Sequence, residues 1–447
     1  MTARMATDLI DDRPQDGVFR LDRAIFDDPA VFELEMRHIF ERGWVFLGLA
    51  SQAAGPHDFF TTSIGRAPVL VMRSGEGRLG AFLNACPHRG SRLAQTACGH
   101  APTLVCAYHS WAFDSAGRNK NIKWKSAGCY ADAFDRDSHD LARLPAFEEY
   151  RGFLFGSLSS DVPPLADYLG EAAKLIDLVA DQSEAGVELV PGAIAFTFAG
   201  NWKLQLENCS DAYHFTSAHP SYIRILKQRE EARDAATPRS VWENNASWAE
   251  DAQGIQGGSY SFANGHVLNW GRLRVSDALP LYESAGRLAR LHGEARRDWM
   301  FNMRNLTIFP NLQIAENASS QLRVIQPLGP ALTRMRTWCI APKGESPAAR
   351  RQRIRQYEDF FNPTGMATPD DTVAYENCQV GYAAPTERWL QGYARGMTAS
   401  RAGGNDFSEL LGMAPERSVA ADSKLCDETL FHSYYRAWAQ RMAGITL

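Results

Sequence analysis

The sequence predicts an α+β protein in two main parts. A small all-β domain is expected over residues 43–158, and a larger domain over 159–447 with an antiparallel sheet covered by helices. A helical segment over 1–42 is expected to pack on the larger part. Three observations carry this reading. The 447 residues are enough for two or three domains. Between Gly43 and Leu158, short β-rich runs recur with Gly and Pro between them, the spacing of a small all-β domain. After Asp161-Val162-Pro163-Pro164 the character changes, and strands and helices then follow one another without regular alternation, which argues for an antiparallel sheet over βαβ units.

From the N-terminus, Pro29 to Trp44 carries Val31, Phe32, Leu34, Met36, Ile39 and Phe40 with charges between them, an amphipathic helix. Gly43 to Leu49 reads as a first strand. Further β runs are Pro68–Met72, Leu79–Asn84, Leu104–Cys106 and Gly152–Leu158. In the second part, Leu165 to Val179 reads as a helix, Ala193–Ala199, Gln321–Gln326 and Met335–Ile340 as strands, and Ala348–Phe361 as an Arg-rich helix. The stretch 229–259, rich in Glu, Ala, Asn and Gly, is expected to be a mobile loop, either a surface insertion or an active-site lid.

Composition excludes several function classes. Hydrophobic content of 45%, charged content of 22% and a net charge of −5 are ordinary for a globular enzyme and give no basic surplus for nucleic acid or an anionic membrane. The N-terminus turns acidic before an apolar signal core can form, and no apolar run approaches membrane-spanning length, so a cytoplasmic protein is expected. Of eight cysteines, Cys98, Cys129, Cys209, Cys339, Cys378 and Cys426 show no paired spacing and are expected to be free buried thiols.

The other two belong to a motif. Cys86-Pro87-His88 and Cys106-Ala107-Tyr108-His109 are separated by seventeen residues and offer two thiolates and two imidazoles from two loops that follow strands. Such a set fits a [2Fe–2S] cluster with two cysteines on one iron and two histidines on the other. Tetrahedral zinc accepts the same donors, although its usual patterns pair Cys with Cys and His with His.

A second cluster of donors lies at 207–219. His214 and His219 are five apart, with Asp211 three before His214. Positions i and i+5 diverge by about 140° on a regular helix, so the helix must break or bulge between the histidines if both serve one metal; Pro220 is consistent with an ending there. Two histidines and a carboxylate make the facial triad of non-haem iron oxygenases. The carboxylate is either Asp211 or a distant residue, with Asp370 and Asp371 as candidates. For the two histidines alone, a hydrogen-bonded core role is an equal reading. A cluster that only moves electrons needs a destination, and this favours ligation.

Taken together, these motifs resemble the large (α) subunit of Rieske non-haem iron ring-hydroxylating dioxygenases over essentially the whole chain. The resemblance identifies Cys86, His88, Cys106 and His109 as the ligands of a Rieske [2Fe–2S] cluster. It matches His214 and His219 to the family's iron histidines and Asp371, after Phe361, to its iron aspartate, with Asp370 second. Asp211 resembles a bridging aspartate between a Rieske histidine of one subunit (His109) and an iron histidine (His214) of its neighbour. Glu207 and Asn208 are expected near the iron in supporting roles. Within the family, Gly200–Gln205, Gly257–His266 and Arg350–Asn362 with Gly365–Asp371 resemble the benzoate, toluate and anthranilate dioxygenases. Cys209 and Pro220 depart from that group, where Gly and an aromatic are usual.

The resemblance implies NADH-derived electrons delivered by a separate reductase with flavin and [2Fe–2S]. They would pass from the cluster through Asp211 to mononuclear Fe(II), with O2 and a small single-ring aromatic as substrates and a cis-dihydrodiol as product. It also implies a small β subunit in an α3β3 assembly. An aniline-type dioxygenase, with a different ring substituent, and a salicylate-type monooxygenase are the neighbouring readings. An electron-transfer protein would not need the residues after the cluster domain, and a binding protein with two zinc sites would contain no iron. For a carboxylate substituent, Arg224 or His266 is the expected partner.

Overall fold

The structure, a computed structural model, describes residues 5–232, 257–317, 319–384, 388–421 and 427–443. The expected loop at 229–259 therefore lies largely outside the described residues. The chain forms two compact units, residues 40–165 and residues 1–39 with 166–447.

In the smaller unit every strand pairing is antiparallel. One sheet runs in the order Leu79–Leu83, Ala67–Arg73, Asp58–Ile64, Cys98–His100. A second is formed by Asn119–Asn121, Ala112–Asp114 and Thr103–Val105, and a third by Ala146–Tyr150, Phe153–Ser157 and Val45–Leu49. The apolar sides of these strands bury Leu70, Met72, Phe82, Trp111 and Phe113 in one core, which also takes in Cys86 and Cys106.

The larger unit is built on a ten-stranded antiparallel sheet. Strict alternation along its central strands gives it two unlike faces. Leu268, Leu306, Ile314, Leu322 and Trp338 pair across five strands on one face. The other face carries Asn269, Asn305, Ala315, Gln321 and Cys339 in one row, and Thr307, Gln313, Arg323 and Thr337 in the next. Helices satisfy much of this polar face. Gln313 Nε2 donates to the carbonyls of Gln205 and Leu206, each at 3.1 Å, from the helix Trp202–Asn208. Tyr357 Oη lies 3.2 Å from Thr337 Oγ1, from the Arg-rich helix Pro347–Phe360. The α+β reading thus describes the observed architecture.

Four local expectations need correction. The N-terminal segment is not all helical: Ile10–Arg13 and Val18–Asp22 form a hairpin. Its turn, Pro14-Gln15-Asp16-Gly17, places Gly17 at φ 68°, and Phe19 and Leu21 alternate into the core, a period of two that a helical reading of 1–42 overlooked. The helix from Pro29 ends at Glu35 and continues as a wider π turn over Met36–Phe40. The helix expected over 165–179 is broken at Gly170, which stands at φ 49° between Leu165–Leu169 and Ala173–Ala180. Of the cysteines outside the motif, Cys209 and Cys339 are buried, but Cys98, Cys129 and Cys378 are exposed; Cys426 lies outside the described residues. Among the described residues, no helix is long and apolar enough to cross a membrane.

The N-terminal helix is tied into the larger unit by charge. Glu35 is fully buried and accepts from Lys203 Nζ at 2.6 Å, Trp202 Nε1 at 2.8 Å and Trp438 Nε1 at 2.7 Å. Burial pulls the Lys203 ammonium below its ordinary range, and Glu35 opposes that pull. Removing the carboxylate leaves a buried cation unpaired. Glu35→Ala is therefore expected to destabilise the larger unit by roughly 3–5 kcal/mol, measured as a fall in its thermal or urea midpoint, and an unchanged midpoint would contradict this role.

Candidate metal centres

The two Cys–His loops of the smaller unit are near copies of one another. Each cysteine N–H donates to the carbonyl five residues on, Cys86 to Ser91 and Cys106 to Trp111, both at 2.8 Å. Each cysteine carbonyl accepts from the N–H four residues on, Gly90 at 2.8 Å and Ser110 at 2.9 Å. Gly90 and Ser110 take the left-handed conformation this closure requires, at φ 75° and 58°. The loops bury the two sulfurs and bring the rings of His88 and His109 to 4.4 Å between centroids. Trp111 stacks on His88 at 5.0 Å and 10°.

The donor chemistry fits a cluster. The thiols lie within hydrogen-bond reach of one another yet form no disulfide. Burial pushes the Cys86 thiol up. Burial opposes ionisation of Cys106 too, but the N–H groups of Tyr108 and His109 and the Ser91 hydroxyl hold it below its usual range. Burial and the nearby His109 and Arg89 keep His88 neutral, the form that binds a metal. His109 Nδ1 is buried with no hydrogen-bond partner among the described residues, an orphan that a bound iron would satisfy.

In the larger unit the expected interruption of the helix is present, but it falls before His214 and at His219, not within the turn that joins them. The helix Trp202–Asn208 stops, a single turn Phe215–Ala218 follows with His214 before it and His219 after it, and a new helix starts at Pro220. Pro220 thus opens a helix instead of closing one. Asp211 organises the approach: its Oδ1 accepts from the N–H of Tyr213 at 2.6 Å and of His214 at 3.3 Å. Opposite stands the first turn of the helix Thr368–Tyr382, which carries Asp370 and Asp371 near its positive end.

Asp371 Oδ1 lies 3.3 Å from His214 Nε2 and 3.2 Å from His219 Nε2. The three side chains can each offer an atom to one point, all within 4.8 Å of each other. Of the outer ring nitrogens, His219 Nδ1 is hydrogen-bonded to Asp370 Oδ2 at 3.2 Å, whereas His214 Nδ1 lies at ion-pair distance from Asp211 Oδ2, 3.3 Å, without hydrogen-bond geometry. Carboxylates on the outer nitrogens fix which nitrogen faces the metal point and make it more basic. Asn208 Nδ2 donates to Asp371 Oδ1 at 3.1 Å and lies 3.2 Å from His214 Nε2. The site attracts positive charge: burial pulls His214 down, but Asp211 and Asp371 outweigh it and push the ring up to about 10. Asp371 is held well below the carboxylate range, its burial outweighed by the two imidazoles.

Asn208, Asp211, His214, His219 and Asp371 border a cavity of about 510 Å³, part of it open to solvent, between the polar face of the sheet and the helices. Phe215, Phe360, Phe361, Met303 and Ala315 make its apolar wall, and Cys209 lines it with a thiol that burial keeps neutral. The expected supporting residues divide here. Asn208 lines the cavity; Glu207 does not, and its Oε1 accepts from the hydroxyls of Tyr393, at 3.0 Å, and Tyr435.

The family models agree with this geometry. Residues 43–135 match the Rieske [2Fe-2S] domain, and residues 176–444 match the ring hydroxylating alpha subunit (catalytic domain). The chain belongs to the Rieske ring-hydroxylating oxygenase α-subunit family. This α subunit is 40% identical to toluate 1,2-dioxygenase subunit alpha of Pseudomonas putida over 99% of its length and 96% of the relative's. It is 38% identical to the anthranilate 1,2-dioxygenase large subunit of Acinetobacter baylyi, covering 96% of this chain and 90% of that one. A naphthalene 1,2-dioxygenase structure with indole in its active site superposes with a TM-score of 0.78 at 25% identity, over 95% of this chain and 92% of the other. The protein is thus a Rieske non-haem iron oxygenase, with a [2Fe–2S] cluster and mononuclear iron as its cofactors.

The structure corrects the expected carboxylate partners. His266 is fully buried away from the cavity, where its Nε2 meets the Tyr168 carbonyl at 2.9 Å and its Nδ1 accepts from Phe309 N–H at 3.1 Å; burial lowers its pKa to about 4. Arg224 is exposed and does not line the cavity. Sequence reasoning missed Arg323, Asn269, Asn305 and Asn317, which do line it. For Arg323 a signal was available in Gln321-Leu322-Arg323-Val324, a strand whose polar positions share one face.

Glu207 generates a pH prediction. Burial raises its carboxyl to about 7 from 4.5, against the tyrosine hydrogen bonds that lower it. A raised carboxyl contributes stability that is complete below its unfolded pKa and is lost as pH rises through the folded one. Between about pH 5 and 8, the wild type is expected to lose roughly 3 kcal/mol more than Glu207→Gln, read from unfolding midpoints against pH; parallel curves would contradict it.

Proposed function

We propose that this α subunit catalyses dihydroxylation of a single-ring aromatic acid, with O2 and electrons that originate in NADH. The observation that carries the reading is the convergence of His214, His219 and Asp371 on one point at the edge of a cavity whose floor is polar and whose walls are aromatic. Relatives acting on toluate, 2-halobenzoate and anthranilate, at 38–40% identity over nearly the whole chain, support the substrate class. We assign His214, His219 and Asp371 as the Fe(II) ligands and Cys86, His88, Cys106 and His109 as the cluster ligands. When bound, the cluster supplies single electrons and the iron supplies a centre at which O2 is activated.

The chain's own residues position everything else. Asn208 holds the Asp371 carboxylate, Asp370 holds the His219 imidazole, and Asp211 accepts from the His214 backbone N–H and lies at ion-pair distance from its ring, an arrangement that suits three donor atoms on one side of the metal point with the cavity side open. The apolar wall of Phe215, Phe360, Phe361 and Met303 excludes water from the ring. Asp211 retains partial exposure while it holds His214, and His109 is itself partly exposed. Both features suit the reading in which Asp211 of one subunit accepts from His109 of the next, closing a short electron path in an α3β3 ring. A flavin and [2Fe–2S] reductase, a small β subunit and a cytoplasmic setting complete the proposal.

Two experiments test it. Turnover of benzoate, anthranilate or aniline with the reconstituted reductase under 18O2 is expected to put both labelled atoms into the product of an aromatic acid; one labelled atom would establish a monooxygenase, and turnover of aniline alone would overturn the acid. Asp371→Ala is expected to abolish turnover, by more than about 10³-fold, and to lose mononuclear iron while the visible spectrum of the cluster persists. Loss of the cluster in that variant would contradict two separate centres.

A further inference from the structure

Among the described residues four lysine or arginine side chains are buried: Lys203, Arg304, Arg323 and Arg353. Three of them sit on buried carboxylates, Lys203 on Glu35, Arg304 on Glu316 and Arg353 on Glu345. Arg323 has no carboxylate within ion-pair distance among the described residues. Its Nε donates to Gln321 Oε1, its guanidinium carbon lies 5.3 Å from the centre of the Phe361 ring, and its two Nη atoms have no hydrogen-bond partner among the described residues. It is 9% exposed, and it borders the same cavity as His214, His219 and Asp371.

We infer that Arg323 is the residue that selects an anionic ring substituent, holding the carboxylate of a single-ring aromatic acid through its two Nη atoms while the ring lies between it and the metal point. The inference rests on the substrate class proposed above and names the group that enforces it. A buried guanidinium without a counter-charge is costly, and the other three buried cations show how this fold ordinarily meets that cost. The free edge of the guanidinium is the planar fork that matches a carboxylate with two parallel hydrogen bonds. Its π face is taken up by Phe361 and its Nε by Gln321, so the fork has a fixed direction before any ligand arrives. A role as counter-charge to Asp371 does not account for it. Asp371 is already met by two imidazoles and Asn208, and it makes no ion pair with Arg323.

The asparagines that share the cavity carry no charge, so Arg323 is the side chain beside them that meets a carboxylate with one. Asn305 and Asn317 bind each other at 2.9 Å. Asn269, whose Oδ1 is buried without a partner among the described residues, lies three strands from Arg323 in the sheet. That separation is about 14 Å between strand backbones, and the Asn269 amide carries no charge. Ala315 and Cys209 are the small residues of the wall, and the ring has space beside them.

The test uses the holo-oxygenase with its reductase and compares benzoate with benzamide, a neutral molecule of nearly the same shape. Arg323→Gln is expected to lower kcat/KM for benzoate relative to benzamide by roughly 30-fold or more, with a matching loss of benzoate affinity in equilibrium dialysis. Arg323→Lys, which keeps the charge but not the fork, is expected to lose part of the preference. Cluster absorbance and iron content serve as the check on folding. Equal losses for benzoate and benzamide, in either variant, would assign Arg323 a structural role and overturn the inference, as would an unchanged preference. A wild type that turns over no aromatic acid would instead overturn the proposed substrate class.

Discussion

One carboxylate oxygen, Asp371 Oδ1, meets the Nε2 atoms of two histidines, and the catalytic unit is arranged so that this can happen. His214 and His219 can both face it only because the helix ends at Asn208 and a single turn separates them. Asp371 can face them only because a new helix begins at Thr368-Pro369 and its first turn directs Asp371 into the cavity, while Asp370 turns to the outer nitrogen of His219. Such a gathering of acid and imidazole groups in a buried place favours a cation at its centre. Asp370, hydrogen-bonded to the outer nitrogen of His219, and Asp211, at ion-pair distance from that of His214, help to orient both rings toward the metal point.

The sheet bears a related cost. A face lined with Asn, Gln, Thr and Arg is a poor packing surface, and the fold accepts it by covering it with helices that supply backbone carbonyls and a tyrosine hydroxyl. Where no helix group reaches, the polar residues line the cavity. The cluster unit solves a different problem, holding two sulfurs and two imidazoles at the ends of two loops. It uses one loop conformation twice, with a left-handed residue four positions after each cysteine. Gly90 meets that requirement without strain, whereas Ser110 adopts it as a non-glycine residue.

Much of this was legible in the sequence, because the donor residues cluster there. Cys86 to His109 and Asp211 to His219 are short segments whose residue types and spacing already limit the chemistry, and the five-residue step between the histidines forecast the broken helix. The role of Asp370 was not legible, since two adjacent aspartates in one helical turn differ only in direction, and direction depends on how the helix packs. His266 and Arg224 were misassigned as candidate carboxylate partners for the same reason: a His in a strand-rich region and an Arg near the histidines look functional until burial and direction are known. Arg323 was overlooked because its meaning comes from the missing counter-charge around it, which only three-dimensional neighbours reveal. The N-terminal hairpin was missed where the Pro14–Gly17 turn was passed over in favour of the apolar pattern that follows it.

The central claim is that one chain holds two separate metal centres of different chemistry. The most direct measurement is the iron, zinc and acid-labile sulfide content of the purified protein. The account predicts about three irons and about two sulfides per chain, with no stoichiometric zinc. Zinc at two per chain without sulfide would contradict it, and two irons with two sulfides, in protein protected from iron loss, would remove the mononuclear site.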